Sequence, residues 1–315
     1  MLPDGPPPLL GPYTRVFQAD PAFAGHLERE LGVWEERGGL YFAESPPHPV
    51  FWHRNLWEAP FIAQFDSISG AAKILRDIQR NWAPILWTQF RRGALIAQKL
   101  PPISRKPRPF PWVIPDTPMG AWTLLDHRTL AVSADCTSPF PAGVIDFPED
   151  HHGPPSRAYL KLWEALVLAG SFPAAGERCF DAGASPGGWT WTLANLGASV
   201  VACDRTPLDA RIAALPGVTF VKHDAFTLNP QDIGPIDWLF CDAACYPQRL
   251  LGWIEKWLAS GLCKRFVCTI KMQGSLDGTG ANTVDFDTPR RFAALPGGRV
   301  VHLYHNKHEL TWLGF

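Results

Sequence analysis

Hydrophobic positions are arranged differently in the two halves of the chain. From Ser156 onward, short apolar runs recur at regular intervals: RCFDAG, SVVACD, VTFVKHD, IDWLFCD and RFVCTIK, then GRVVHLYH and ELTWLGF. Continuous runs of this kind, with helical stretches between them, predict parallel strands covered on both faces, the doubly wound α/β arrangement. The last two runs are too close together for a crossover helix, so they are expected to form an antiparallel hairpin at the end of the sheet. Before Ser156 the pattern is less regular. Gly39–Glu44 reads as a strand, Ile68–Arg80 as a helix, Pro101–Pro118 as a Pro-rich loop and Trp122–Asp135 as strand again. The expectation is a smaller α+β domain over 1–155 and a Rossmann-like α/β domain over 156–315. The Pro/Gly/His cluster Phe147–Ser156 separates them, and the segment up to Pro12 is expected to be frayed.

Composition narrows the setting. With 46% hydrophobic residues in 315, the chain can bury a core in each of two domains. A net charge of -1 gives no overall basic field, so a polyanionic partner must be met by a local patch. The seven cysteines are an odd number, lie mostly in apolar runs and form no CxxC pair; they read as buried free thiols in a reducing cytoplasm. The N-terminal residues lack the charged head and apolar core of a secretion signal, and no apolar run reaches the roughly 18–20 residues of a membrane span. These features predict a cytoplasmic protein without a membrane partner.

The stretch from Phe180 to Trp189 leaves a strand, turns on glycines and enters a helix. In a doubly wound sheet, that turn borders the crevice where a nucleotide-like ligand lies. Asp181, Gly183, Ser185 and Pro186 form its first part, and Gly187, Gly188 and Trp189 its second. Asp204 ends the next strand, where a carboxylate can accept hydrogen bonds from ribose hydroxyls. Asp224 ends the third strand on the base side, and Asp242 the fourth. The glycine spacing is not GxGxxG, which argues against a dinucleotide and its pyrophosphate.

DAGASPGGW resembles the D-L-G-x-x-P-G-G-W loop of the FtsJ-like ribose 2′-O-methyltransferases, and Ser156–Leu162 matches that family's S-R-x-x-x-K-L pattern. The resemblance implies S-adenosylmethionine as cofactor and a Lys-Asp-Lys-Glu tetrad, which falls here on Lys161, Asp242, Lys271 and Glu309. It is strongest over 156–315. Within the family, the terminal YHNKHELT is most similar to the RlmM branch, which methylates a cytidine ribose in large-subunit ribosomal RNA and carries an RNA-capturing THUMP-type domain. The N-terminal half here is shorter than that branch's, and Ala158 stands where the branch favours serine. The resemblance implies an RNA substrate, with Lys271 as general base, its pKa depressed by Lys161 and partial burial. Two alternatives stay open: a non-catalytic RNA-binding or assembly factor on the same fold, and a methyltransferase acting on a small molecule or protein.

An RNA would need a basic surface. Between Asp77 and Asp116 there is no acidic residue, whereas Arg91, Arg92, Lys99, Arg105, Lys106 and Arg108 all fall inside, interleaved with Trp82, Trp87, Phe90, Phe110 and Trp112. Basic groups neutralise phosphates and exposed aromatics stack on unpaired bases, so this segment is the expected docking surface. His302, His305 and His308 recur every three residues, but on a hairpin that spacing does not hold all three on one face; no metal is expected. Cys241 and Cys245, beside Asp242, read as packing thiols.

Overall fold

The computed structural model describes residues 11, 13–274 and 284–315. The expected frayed start lies almost wholly outside them. The chain divides into two compact units, one of residues 1–108 with 115–146, the other of 109–114 with 147–315.

The first unit carries β1 (Arg15–Gln18), α1 (Ala24–Glu30), β2 (Trp34–Arg37), β3 (Leu40–Ala43) and β4 (Asn55–Trp57). These strands form an antiparallel sheet in the order β2-β3-β1-β4. After them come β5 (Phe61–Gln64), α2 (Ile68–Ile78), β6 (Trp82–Pro84), α3 (Phe90–Ala97), β7 (Gly120–Leu124) and β8 (Thr129–Ser133), whose strands form a second sheet, β5-β8-β7-β6. α2 starts where the Ser67 hydroxyl accepts from the Gly70 N–H and buries Ala71, Ala72 and Leu75. Its last carbonyls, on Leu75 and Gln79, are met by the indole N–H of buried Trp82.

The second unit begins with α4 (Tyr159–Ala169) and β9 (Arg178–Ala182), followed by α5 (Gly188–Asn195), β10 (Ser199–Asp204), α6 (Ala210–Ala213) and β11 (Val218–Lys222). It continues through α7 (Pro230–Ile233), β12 (Ile236–Cys241), α8 (Pro247–Ser260), β13 (Cys263–Lys271), α9 (Asp287–Ala293), β14 (Gly298–Val301) and β15 (Glu309–Gly314). The sheet order is β11-β10-β9-β12-β13-β15-β14, parallel from β11 to β13, with β15 antiparallel to both neighbours. The terminal hairpin therefore joins the sheet through its second strand, and Glu309 faces Lys271 in the β13–β15 register. The apolar runs are buried as their continuity requires: Trp238, Leu239, Phe240 and Cys241 are inaccessible, as are Val267, Cys268 and Ile270.

Two details differ from the sequence expectation. Residues 147–155 are packed into the second unit and do not form a linker. The Tyr159 hydroxyl accepts from the Asp150 N–H, Asp150 Oδ1 accepts from the His152 and Gly153 N–H groups, and Phe147 meets Trp163 edge-on. Also, β14 ends at Val301, so His302, His305 and His308 lie on the connection 302–308. Among the described residues no helix is long and apolar enough to cross a membrane.

Candidate active site

In the parallel part of the sheet, the strand order reverses between β9 and β12: the chain runs outward from β9 to β11 and returns as β12 on the other side. Loops leaving the two strands diverge there and open a crevice. Gly183 leaves β9 with a φ of +77°, and a Cβ on it would fall 2.5 Å from the Ala243 side chain. Glycine is thus what lets the β9 and β12 exits approach each other. Gly187, with a φ of +114°, then turns the chain into α5.

A cavity of about 310 Å³ lies at this edge, within the size range of small-molecule sites. Gly183 and Ser185 line it from β9's exit, Asp204 and Asp224 from the ends of β10 and β11, and Asp242 to Ala244 from beyond β12. Asp204 is held in place by the N–H groups of Ser185, at 3.1 Å, and Thr206, at 2.8 Å. Asp224 accepts from the Phe226 N–H and from Arg249, whose guanidinium also lies 4.7 Å from the centre of the Phe226 ring. Burial works against the Asp224 anion, but these partners outweigh it and its pKa is lowered. These acceptors suit a nucleoside: paired carboxylates for hydroxyl or amino groups, with a phenyl ring beside them.

The sequence did not single out Phe226, Arg249 or His223, which also line the cavity. No motif marks them; His223 and Phe226 flank Asp224 in the chain, and the fold brings Arg249 of α8 to it. Conversely, Asp181, Pro186, Gly187, Gly188 and Trp189 are not among its lining residues. Asp181 is buried beneath the loop, accepting from the Thr190 hydroxyl at 2.6 Å; burial raises its pKa to about 7. Trp189 is also core, its indole N–H donating to the Ala158 carbonyl.

Next to Asp242, four charged side chains from distant parts of the chain converge. Lys161 projects from α4; its Nζ lies 3.0 Å from Asp242 Oδ1 and 2.5 Å from Glu309 Oε1. Lys271, ending β13, reaches the same carboxylates, at 2.6 Å to Asp242 Oδ1 and 2.5 Å to Glu309 Oε2. Two amines and two carboxylates thus alternate in a closed ring. Lys161 and Glu309 are nearly sealed from solvent, while Lys271, with 24% of its side chain exposed, is the more open amine.

The electrostatics correct one expectation. Burial by itself would lower the Lys271 pKa, but the charges and hydrogen bonds of Asp242 and Glu309 more than reverse this, and it is raised. Proximity to Lys161 does not win, because both carboxylates are in direct contact with the amine. Asp242 is shifted the opposite way: burial opposes its charge, Lys161 and Lys271 overcome that, and its pKa is lowered. Cys241 and Cys245 are buried thiols; burial raises the pKa of both, that of Cys245 to about 11. Among the described residues no group of His, Cys, Asp or Glu is arranged to hold a metal ion.

The basic segment lies mostly in the first unit. Arg91, Lys99, Arg105 and Lys106 are exposed; Arg92 and Arg108 are half-buried, and the Arg92 guanidinium lies 5.3 Å from the Phe65 ring centre. The aromatics divide differently from expectation. Trp82 is core, Trp87 and Trp112 are half-buried, and Phe110, itself part of the second unit, stacks within that unit on Trp163 with ring centres 4.6 Å apart. Phe90, 62% exposed at the start of α3, is the aromatic of this group available for stacking.

The FtsJ-like methyltransferase family matches residues 154–273. The chain is also similar to proteins named ribosomal RNA large subunit methyltransferase M. That of Azoarcus sp. is 33% identical over 187 residues, 56% of this chain and 50% of the relative. That of Aromatoleum aromaticum is 36% identical over 165 residues, 50% of this chain and 44% of its own. With that of Xanthomonas oryzae pv. oryzae the match is 30% identical over 258 residues, covering 78% of this chain and 69% of the relative. The chain thus spans about half the length of the first two relatives and more of the third.

Proposed function

This chain belongs to the FtsJ-like methyltransferase family, in the group of ribosomal RNA large subunit methyltransferase M, and on that footing we propose that it methylates a ribose 2′-hydroxyl of large-subunit ribosomal RNA. The observation that carries the reading is the ring of Lys161, Asp242, Lys271 and Glu309 beside the cavity bordered by Ser185, Asp204 and Asp224. S-adenosylmethionine would supply there a methyl group activated by its cationic sulfur.

Asp204 would hold the ribose hydroxyls of the cofactor, and Asp224 with Phe226 its base. The work left to the tetrad is to orient a weakly nucleophilic sugar hydroxyl and remove its proton. Lys271 is the amine more open to solvent and is the general base in this reading; Asp242 and Glu309 fix its direction, and Lys161 bridges the two carboxylates and offsets their charge. Since those carboxylates favour the ammonium form, Lys271 must lose its proton before it can act. Added positive charge in the cavity lowers its pKa toward that state.

Arg91, Lys99, Arg105 and Lys106 would meet phosphates and Phe90 would stack on an unpaired base, making the first unit an RNA-capturing domain of THUMP-like type. Arg92 and Arg108 would support that surface from partly buried positions. The test is to map ribose methylation in large-subunit RNA from cells with and without the chain. A single 2′-O-methyl mark lost with the chain supports the proposal; an unchanged ribose map with a lost base methylation refutes it.

A further inference from the structure

Glu164 is a buried acid with no part in the chemistry above. It lies one turn beyond Lys161 on α4, a helix otherwise built of apolar side chains and buried from Tyr159 to Val167. Its Oε1 accepts from the Tyr304 N–H at 2.8 Å and its Oε2 from the His305 N–H at 2.9 Å. Oε2 also lies 2.7 Å from His305 Nδ1, and the carboxylate is 2% exposed. A carboxylate withdrawn from water this far is tolerated only where donors replace its hydration. Its three contacts therefore constrain where Tyr304 and His305 can run.

Those residues belong to the connection 302–308, which delivers Glu309 to the tetrad. The connection is held internally by Asn306 N–H to Leu303 carbonyl and Glu309 N–H to Lys307 carbonyl, and to the end of β13 by Met272 N–H to His308 carbonyl. Glu164 adds the tie to α4. The helix consequently reaches this connection at two heights: Lys161 touches Glu309 itself, and Glu164 fixes the chain a few residues before it.

We infer that Glu164 is a positioning residue, setting the placement of the Glu309 carboxylate between the amines of Lys161 and Lys271. Its consequence for turnover rests on the methyltransferase reading above; its consequence for geometry does not. A shift of about 1 Å in a reacting group is enough to cost on the order of 100-fold in rate.

The experiment follows the side-chain titration of Lys271 by NMR in the full chain labelled with ¹³C,¹⁵N-lysine, alongside methyl-transfer kinetics. Glu164→Gln keeps the volume but turns an amide NH2 toward one of the two main-chain N–H groups. Glu164→Asp keeps the charge but not the reach, so it separates placement from simple loss of a negative charge. In both variants the Lys271 titration should move down by about one pH unit as Glu309 withdraws. In both, kcat should fall by roughly 10- to 100-fold with KM values within about twofold.

If either variant folds with the Lys271 titration of the parent, the inference is wrong. If the parent transfers no methyl group to RNA yet the titration still moves, the proposed function fails and the positioning role stands.

Discussion

Lys271 and Glu309 are register partners across the antiparallel pair β13–β15, and their side chains meet at 2.5 Å. The sheet itself therefore sets one edge of the tetrad, and the remaining contacts come from α4 and the end of β12. Because Glu309 and Asp242 raise the Lys271 pKa, the amine is protonated at neutral pH, and any reaction that needs it as a base speeds up as pH rises.

In single-turnover methyl transfer, the rate should climb through the alkaline range with no plateau near neutrality. Glu309→Gln removes one of the carboxylates holding the proton, so the rising limb should move to lower pH while the maximal rate falls. A limb that stays in place in this variant would show that Lys271 is not the titrating group.

Asp204→Asn should weaken S-adenosylmethionine binding by about 10- to 100-fold, the scale of a lost hydrogen bond to a charged acceptor. Calorimetric titration of the full chain measures this. Lys271→Ala, outside the cavity lining, should bind the cofactor about as well as the parent.

On α3, Phe90→Ala should cost about 1–3 kcal/mol in RNA affinity if its exposed ring stacks on a base. Reversing charge at Arg91 and Lys99 should weaken binding and flatten its dependence on salt. Trp82→Ala should instead lower the melting temperature, since that ring fills the core and caps α2. Filter binding at several salt concentrations, with thermal melts, separates these effects.

Asp181 predicts a pH dependence of stability. Its folded pKa is raised to about 7 by burial, above the ordinary value of 3.8. The stability it contributes is present below pH 3.8 and is lost as pH rises through about 7. Asp181→Asn should therefore melt higher than the parent at pH 8, and the advantage should shrink toward pH 4. Equal melting differences at both pH values would contradict this.

The strands of the second unit were legible because burial on both faces leaves continuous apolar runs such as Trp238–Cys241, and the strand-end aspartates stand out against them. Lys161, Asp242, Lys271 and Glu309 were found through resemblance to a motif; spacing alone would not have joined residues so far apart. Pairwise electrostatics was not legible. Whether Lys271 feels Lys161 or Glu309 more strongly depends on which side chain touches it. The aromatics between Trp82 and Trp112 look alike in sequence, yet Trp82 serves the core and Phe90 the surface. Glu164 did leave a trace: it is the one acid in an apolar helix, which is a demand for a buried partner.

The most direct test of the central claim is to incubate the chain with large-subunit ribosomal RNA and methyl-labelled S-adenosylmethionine, digest the RNA to nucleosides and identify the labelled product, with Lys271→Ala in parallel. The account predicts a single 2′-O-methylated nucleoside from the parent and a rate lower by roughly 100- to 10,000-fold in the variant. Label on a base, or equal rates from the two proteins, would contradict it.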